Sequence, residues 1–286
     1  MHLASVMIGD RASWGVVDGP DFRDVGAVLG ASIPDLRSAI AVAAWPAIRT
    51  AQLTAEVIPL AQIRWLPVIP NPDKILCVGL NYESHRRETG REEVGHPTIF
   101  LRLSNSQVGH LGDIIRPRVS DTLDYEGELA VIIGKAGRYI SEADALDHIA
   151  GYSCYNDGSV REWQRHTHQF TPGKNFPATG SFGPWMVTTD EIPDVEALKL
   201  TTRLDGVVVQ EAGLDQLIFS IPRIIAYCSA FTPLLPGDVI ATGTPGGVGF
   251  KREPQLFMRP GSTVEVEISA VGRLINGIAD EAIQTD

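Results

Sequence analysis

A run of apolar, β-branched residues entered through two acids constrains this 286-residue chain more than any other feature. It reads Leu123-Asp124-Tyr125-Glu126-Gly127-Glu128-Leu129-Ala130-Val131-Ile132-Ile133-Gly134, and Leu129–Ile133 predicts a buried strand. Side chains alternate faces along a strand, so Glu126 and Glu128 point to one side while Gly127 leaves the other open. Two carboxylates held together near a core repel each other and lose hydration. A hard divalent cation such as Mg²⁺, Mn²⁺ or Ca²⁺ takes carboxylate oxygens and removes that conflict. A solvated strand edge shows the same spacing, so the pair alone leaves both readings open.

Composition narrows the class. At 44% apolar residues the chain can bury a sizeable core, and its length suggests about two domains. Net charge is −11, which argues against non-specific attraction to nucleic acid or to an anionic membrane. No stretch approaches the ~20 apolar residues of a membrane span, and no basic segment followed by an apolar run opens the chain. Cys77, Cys154 and Cys228 are widely spaced in apolar surroundings and read as reduced core thiols. A cytoplasmic protein with a small-molecule substrate is the expectation.

Residues 1–70 predict a small N-terminal domain, with short β-type runs at Ser5–Gly9 and Trp14–Gly19 and a helical stretch over Ala39–Ala47. Three prolines within Trp65–Asp73 read as a linker into a catalytic domain over 71–286. There, Lys74–Gly79 and Gly151–Asn156 predict strands. Tyr82–Thr89 has helical spacing with Gly90 as a stop, and Ser141 opens a short helix. Asp205-Gly206 predicts a hairpin turn within Thr201–Gln210. Ser220–Phe231 is the clearest helix, with Pro222 in its first turn. Asp238–Thr242 is another strand, and Val264–Ile268 with Gly272–Ile278 forms a closing hairpin. The expected fold class is mixed α/β and β-rich.

Asp157 supplies a third hard oxygen ligand where the strand Gly151–Asn156 ends, leaving other coordination positions for water and substrate oxygens. On a helix, His85 and Glu88 share a face, and a carboxylate beside an imidazole raises its basicity. The same residues belong to a charge-rich run, Glu83–Glu93, that also reads as a solvated helix. The glycine-rich Thr242–Gly249 lacks a following Gly-Lys-Ser/Thr, so a phosphate-binding loop of that type is excluded, while its N–H groups and Thr244 suit a carboxylate. Lys174 is placed to stabilise developing negative charge or to lie at the surface. His166 and His168 read as structural or peripheral. No Gly-x-Ser-x-Gly elbow is present.

In order, Val78-Gly79-Leu80-Asn81-Tyr82 with His85 and Glu88, Asp124–Leu129, Tyr155-Asn156-Asp157, Lys174 with Phe182–Trp185, and Leu235–Pro245 resemble the fumarylacetoacetate hydrolase family. The resemblance implies a β-roll catalytic domain behind a smaller N-terminal domain, usually as a homodimer. It implies that Glu126, Glu128 and Asp157 ligate Mg²⁺ or Mn²⁺, with Ca²⁺ as another candidate, and that His85 and Glu88 activate water on a mobile lid. Lys174 and Thr244 match positions that contact the substrate or its enolate, and Tyr82, Gln210 and Arg102 join them as substrate contacts. Arg102 departs from the family's pattern, where Phe-x-Lys-Pro is common and this chain has Phe100-Leu101-Arg102-Leu103. The expected reaction is metal-dependent hydrolysis of a C–C bond in a 1,3-diketo acid of the acylpyruvate kind. The alternative at the same centre is isomerisation, tautomerisation or decarboxylation of a 2-oxo or 2-hydroxydienoic diacid, and an inactive binding protein is a third reading.

Overall fold

The structure is a computed structural model, described for residues 1–90, 92 and 95–282. Positions 283–286 of the proposed catalytic domain and Arg91 and Glu93 of the charge-rich run lie outside the described residues. The strand read first, Gly127–Ile133, is buried along its whole length. It lies between Ile149–Asn156 and Val239–Ala241, antiparallel to both. Leu129, Val131 and Ile133 enter one core cluster and Ala130 and Ile132 another, as period-two alternation requires of a strand covered on both faces. Each fully buried Val, Leu or Ile of this kind contributes about 1.5–3 kcal/mol.

The central strand belongs to a 12-stranded sheet. From one edge its order runs Val57–Pro59, Asp21–Arg23, Arg11–Asp18, His2–Ile8, Gly180–Thr188, Ile149–Asn156, Gly127–Ile133, Val239–Ala241, Ile75–Gly79 and Thr98–Arg102. Arg64–Trp65 and Gln107–Val108 pair off this path. A five-stranded sheet, with Val207–Gly213 at one edge and Ile114–Arg116 at the other, packs with the helix Ile221–Phe231 over the first cluster.

The first seventy residues add strands to this same sheet. Leu3 pairs with Met186, and Leu3, Trp14, Leu36 and Ile48 share a cluster with Ile132, Tyr155 and Phe182. The proline-rich segment expected as a linker is packed down, with Trp65, Val68 and Ile69 buried. The single helix expected over Ala39–Ala47 is two, Leu36–Ala41 and Trp45–Ala51, broken at Ala43 by a left-handed backbone. Asp35 caps the first helix, and Pro46 sits in the first turn of the second. Ser141 closes a turn onto Asp144, and the helical turn begins only at Ala145.

Other expectations hold. The Asp205-Gly206 turn joins Lys199–Leu204 to Val207–Gly213, both turn residues having positive φ, and Ser220 caps Ile221–Phe231. All three cysteines are buried and free. Among the described residues no helix is long and apolar enough to cross a membrane.

Candidate functional site

Glu126, at the mouth of the central strand, and Asp157, just past the end of its neighbour, are tied through the backbone: Asp157 N–H donates to the Glu126 carbonyl at 2.8 Å. Asn156 Oδ1 accepts from Glu126 N–H at 3.0 Å. Glu128 stands opposite Tyr155 in register. The result is a buried group in which one ligand atom from each of Glu126, Glu128 and Asp157 lies within 4.8 Å of the others. Gly127 is obligatory between the two acids, because a Cβ there would collide with Thr202 Oγ1 of the second sheet.

Cations surround this group unevenly. Lys174 Nζ donates to Glu126 Oε2 at 2.8 Å and to Asp157 Oδ2 at 2.6 Å. Arg161 Nη1 donates to Glu126 Oε1 at 2.6 Å, and Arg102 Nη1 to Asp157 Oδ1 at 2.6 Å. Among the described residues Glu128 has only the Gly243 N–H, 2.8 Å from its Oε2. Burial alone would raise Glu126, but Lys174 and Arg161 outweigh it and hold its carboxyl below the usual range. Burial, followed by repulsion from Asp157 and Glu126, pushes Glu128 well above it. Burial opposes the charge on Lys174, yet Asp157 and Glu126 keep its ammonium above its ordinary value. Three buried hard oxygen donors, one of them with no cation bonded to it among the described residues, fit a divalent metal ion.

Gly243 holds φ at 108°, and a Cβ there would stand 2.6 Å from Asn81 Cβ, so glycine is needed for the loop to present its N–H to Glu128. Asn81 fastens the start of the helix Glu83–Thr89 by bonding the Phe219 and Thr242 carbonyls and the Phe219 N–H. On that helix His85 Nδ1 meets Glu88 Oε1 at 2.7 Å, while Glu88 Oε2 accepts from Gly247 N–H at 2.9 Å. The glycine-rich loop therefore fixes both the carboxylate that orients the imidazole and one of the three clustered acids.

A cavity of about 1070 Å³ opens onto this arrangement, with His85, Glu126, Glu128, Lys174 and Thr244 in its wall. Thr244 Oγ1 donates to the Gly127 carbonyl and receives Gln210 Nε2 at 2.8 Å. Gln210, Tyr82 and Arg102 stand behind the wall: Gln210 Oε1 accepts from Gly127 N–H, Tyr82 is fully buried, and Arg102 braces Asp157. His166 and His168, read as peripheral, line the cavity.

Arg161 and Gln164 also line it and escaped sequence reasoning. Asp124 explains the arginine: it accepts Arg161 Nε at 2.8 Å and the N–H groups of Gly249 and Phe250, turning the guanidinium toward Glu126. Arg161 Nη2 is buried with no hydrogen-bond partner among the described residues, a donor suited to a ligand carboxylate. The only signal for it was an arginine shortly after the third acid.

A family profile described as the fumarylacetoacetate (FAA) hydrolase C-terminal domain matches residues 74–279. The chain is 40% identical over 224 residues to the mitochondrial oxaloacetate tautomerase FAHD2A of Bos taurus, covering 78% of this chain and 71% of that one. It is 41% identical over 224 residues to the oxaloacetate tautomerase YisK of Bacillus subtilis, with coverage of 77% and 74%. Its fold is similar to the crystal structure of maleylpyruvate hydrolase from Sphingobium sp. SYK-6 in complex with manganese(II) and pyruvate. That match has a TM-score of 0.83 and 29% identity, and covers 99% of this chain and 100% of that one.

Proposed function

Because the chain belongs to the fumarylacetoacetate hydrolase family, a family of metal-site enzymes, we propose that it interconverts the keto and enol forms of a small 2-oxo diacid of the oxaloacetate kind. Glu126, Glu128 and Asp157 would hold the cation, Mg²⁺ or Mn²⁺, whose chemistry when bound is to polarise the 2-oxo carbonyl and offset enolate charge.

The observation that carries this reading is the His85–Glu88 pair, whose imidazole stands in the wall of the acid-lined cavity. Glu88 occupies Nδ1, which leaves Nε2 to take a proton from the carbon next to the carbonyl and to deliver it to the carbonyl oxygen, or the reverse. The carboxylate at 2.7 Å stabilises the imidazolium formed in between. Lys174 Nζ, held charged by its acids, supplies positive potential at the enolate oxygen without giving up its proton. Arg161 Nη2 receives a substrate carboxylate, with Thr244 elsewhere in the same cavity wall. Gln210, Tyr82 and Arg102 act from behind that wall. Tautomerisation asks no more of these groups than one proton moved between carbon and oxygen.

Hydrolysis of a diketo acid is the second reading, favoured by the likeness to maleylpyruvate hydrolase. It uses the same imidazole to deprotonate water. An assay separates them: with Mn²⁺ present, decay of the oxaloacetate enol band should accelerate over buffer, and acylpyruvates should be left intact. Acylpyruvate cleavage with no effect on the enol would reverse the order.

A further inference from the structure

Each of the three acids has one oxygen already held by a fixed donor of the protein. Glu126 Oε1 takes Arg161 Nη1, Asp157 Oδ1 takes Arg102 Nη1, and Glu128 Oε2 takes the Gly243 N–H. The remaining oxygens of Glu126 and Asp157 converge, since both accept from the single Nζ of Lys174. One oxygen per carboxylate thus lies outside the guanidinium and backbone contacts, with the flexible Lys174 ammonium reaching two of the three, which makes three one-oxygen ligands.

Arg102 holds its acid with the most rigid grip. Its side chain has no exposed surface. Nη1 is shared between Asp157 Oδ1 at 2.6 Å and the Gly158 carbonyl at 2.8 Å. Nε donates to Ser106 Oγ at 3.2 Å, and Nη2 to the Ser106 carbonyl at 3.3 Å and Thr179 Oγ1 at 3.1 Å. Gly180 lies against the fork, where a Cβ would stand 2.8 Å from Arg102 Cζ. A lysine here would be a point charge on a flexible stem, unable to make these contacts together.

We propose that Arg102 is a positioning residue that limits Asp157 to one-oxygen ligation, and that it thereby biases the centre toward a six-coordinate cation such as Mn²⁺ over Ca²⁺. Ca²⁺ gathers about six to eight oxygens and commonly takes both from one carboxylate, whereas octahedral cations are served by single oxygens and water. Locking the second oxygen of Asp157 onto a guanidinium withholds a contact that matters more to the larger ion. The inference rests on the metal-centre reading above.

The test is calorimetric titration of metal-stripped, full-length protein with Mn²⁺ and with Ca²⁺. Wild type should bind Mn²⁺ the more tightly. In Arg102→Lys the ratio of Ca²⁺ to Mn²⁺ dissociation constants should fall by about 10-fold, the scale on which groups supporting a ligand act. Gly180→Ala keeps the arginine but displaces its fork, and should shift the ratio the same way; it decides the matter where the lysine variant does not fold. Equal weakening of both metals in a folded variant overturns the proposal, as does a wild-type preference for Ca²⁺. Failure of wild type to bind either ion removes the metal-centre reading itself.

Discussion

Replacing Glu128 by glutamine should make the metal-stripped protein more stable while weakening its hold on a cation. Ligand atoms of the three acids lie within 4.8 Å of one another. At an effective dielectric of about 20, two unit charges at that distance repel by about 3 kcal/mol. Glu128 faces two such neighbours, and Lys174 offsets about one of them. Glutamine keeps the shape and can still accept from the Gly243 N–H at the same place. Allowing for screening, the stripped variant should gain about 1–3 kcal/mol over stripped wild type at pH 8. Loss of one charged ligand should lower Mn²⁺ affinity by more than the roughly 10–100-fold seen when a mere supporting group is removed. Chemical denaturation of both stripped proteins and calorimetry with Mn²⁺ measure the two effects. A stripped variant less stable than wild type, with Mn²⁺ affinity intact, would refute the reasoning.

His85→Gln should slow tautomerisation by about 10²–10⁴-fold. Its Mn²⁺ affinity should stay near wild type, since the imidazole is not among the three acids, and a joint loss would count against a base role. Arg161→Lys should raise KM for diacids by roughly 10–100-fold, the worth of a hydrogen bond to a charged group, and affect inhibition by monoacids less. Burial pulls His110 down to about 4, and its Nδ1 accepts from Ile275 N–H, so folding favours the neutral ring. Its contribution is complete above the unfolded value near 6.5 and is lost as pH falls toward 4, up to about 3 kcal/mol. Denaturation series should therefore show His110→Asn losing less stability than wild type between pH 7 and 4.5, and parallel losses would contradict this.

Local rules made the frame legible. Period-two alternation identified the central strand and put Glu126 and Glu128 on one side of it, and Asp205-Gly206 and Ser220 marked a turn and a cap through backbone chemistry carried by single residues. The break at Ala43 escaped because alanine has no aversion to a helix, and the left-handed residue closes the first helix through backbone bonds alone, the Ala43 and Ala44 N–H groups donating to the Ile40 and Ala39 carbonyls. Arg161 escaped because nothing beside it in the chain orients it; Asp124 does so across the sheet pairing of Leu123–Asp124 with Ser159–Val160. Arg102 was read through the family's lysine as a substrate contact, and only the placement of Gly180 and Thr179 reveals how it can be enclosed behind Asp157.

The pairing of His2–Ile8 with Gly180–Thr188 bears on how the protein can be cut. The region matched by the family begins at residue 74 and invites truncation there. Removing the leading segment would strip a neighbour from Gly180–Thr188 and uncover Ile132, Tyr155 and Phe182, leaving a raw, sticky margin open to self-association. His2 and Leu3 pair with Val187 and Met186, so the loss falls at the opposite end of that strand from Gly180, which keeps its pairing with Gln107. A trimmed fragment would thus forfeit solubility, though every residue named in the chemistry remained.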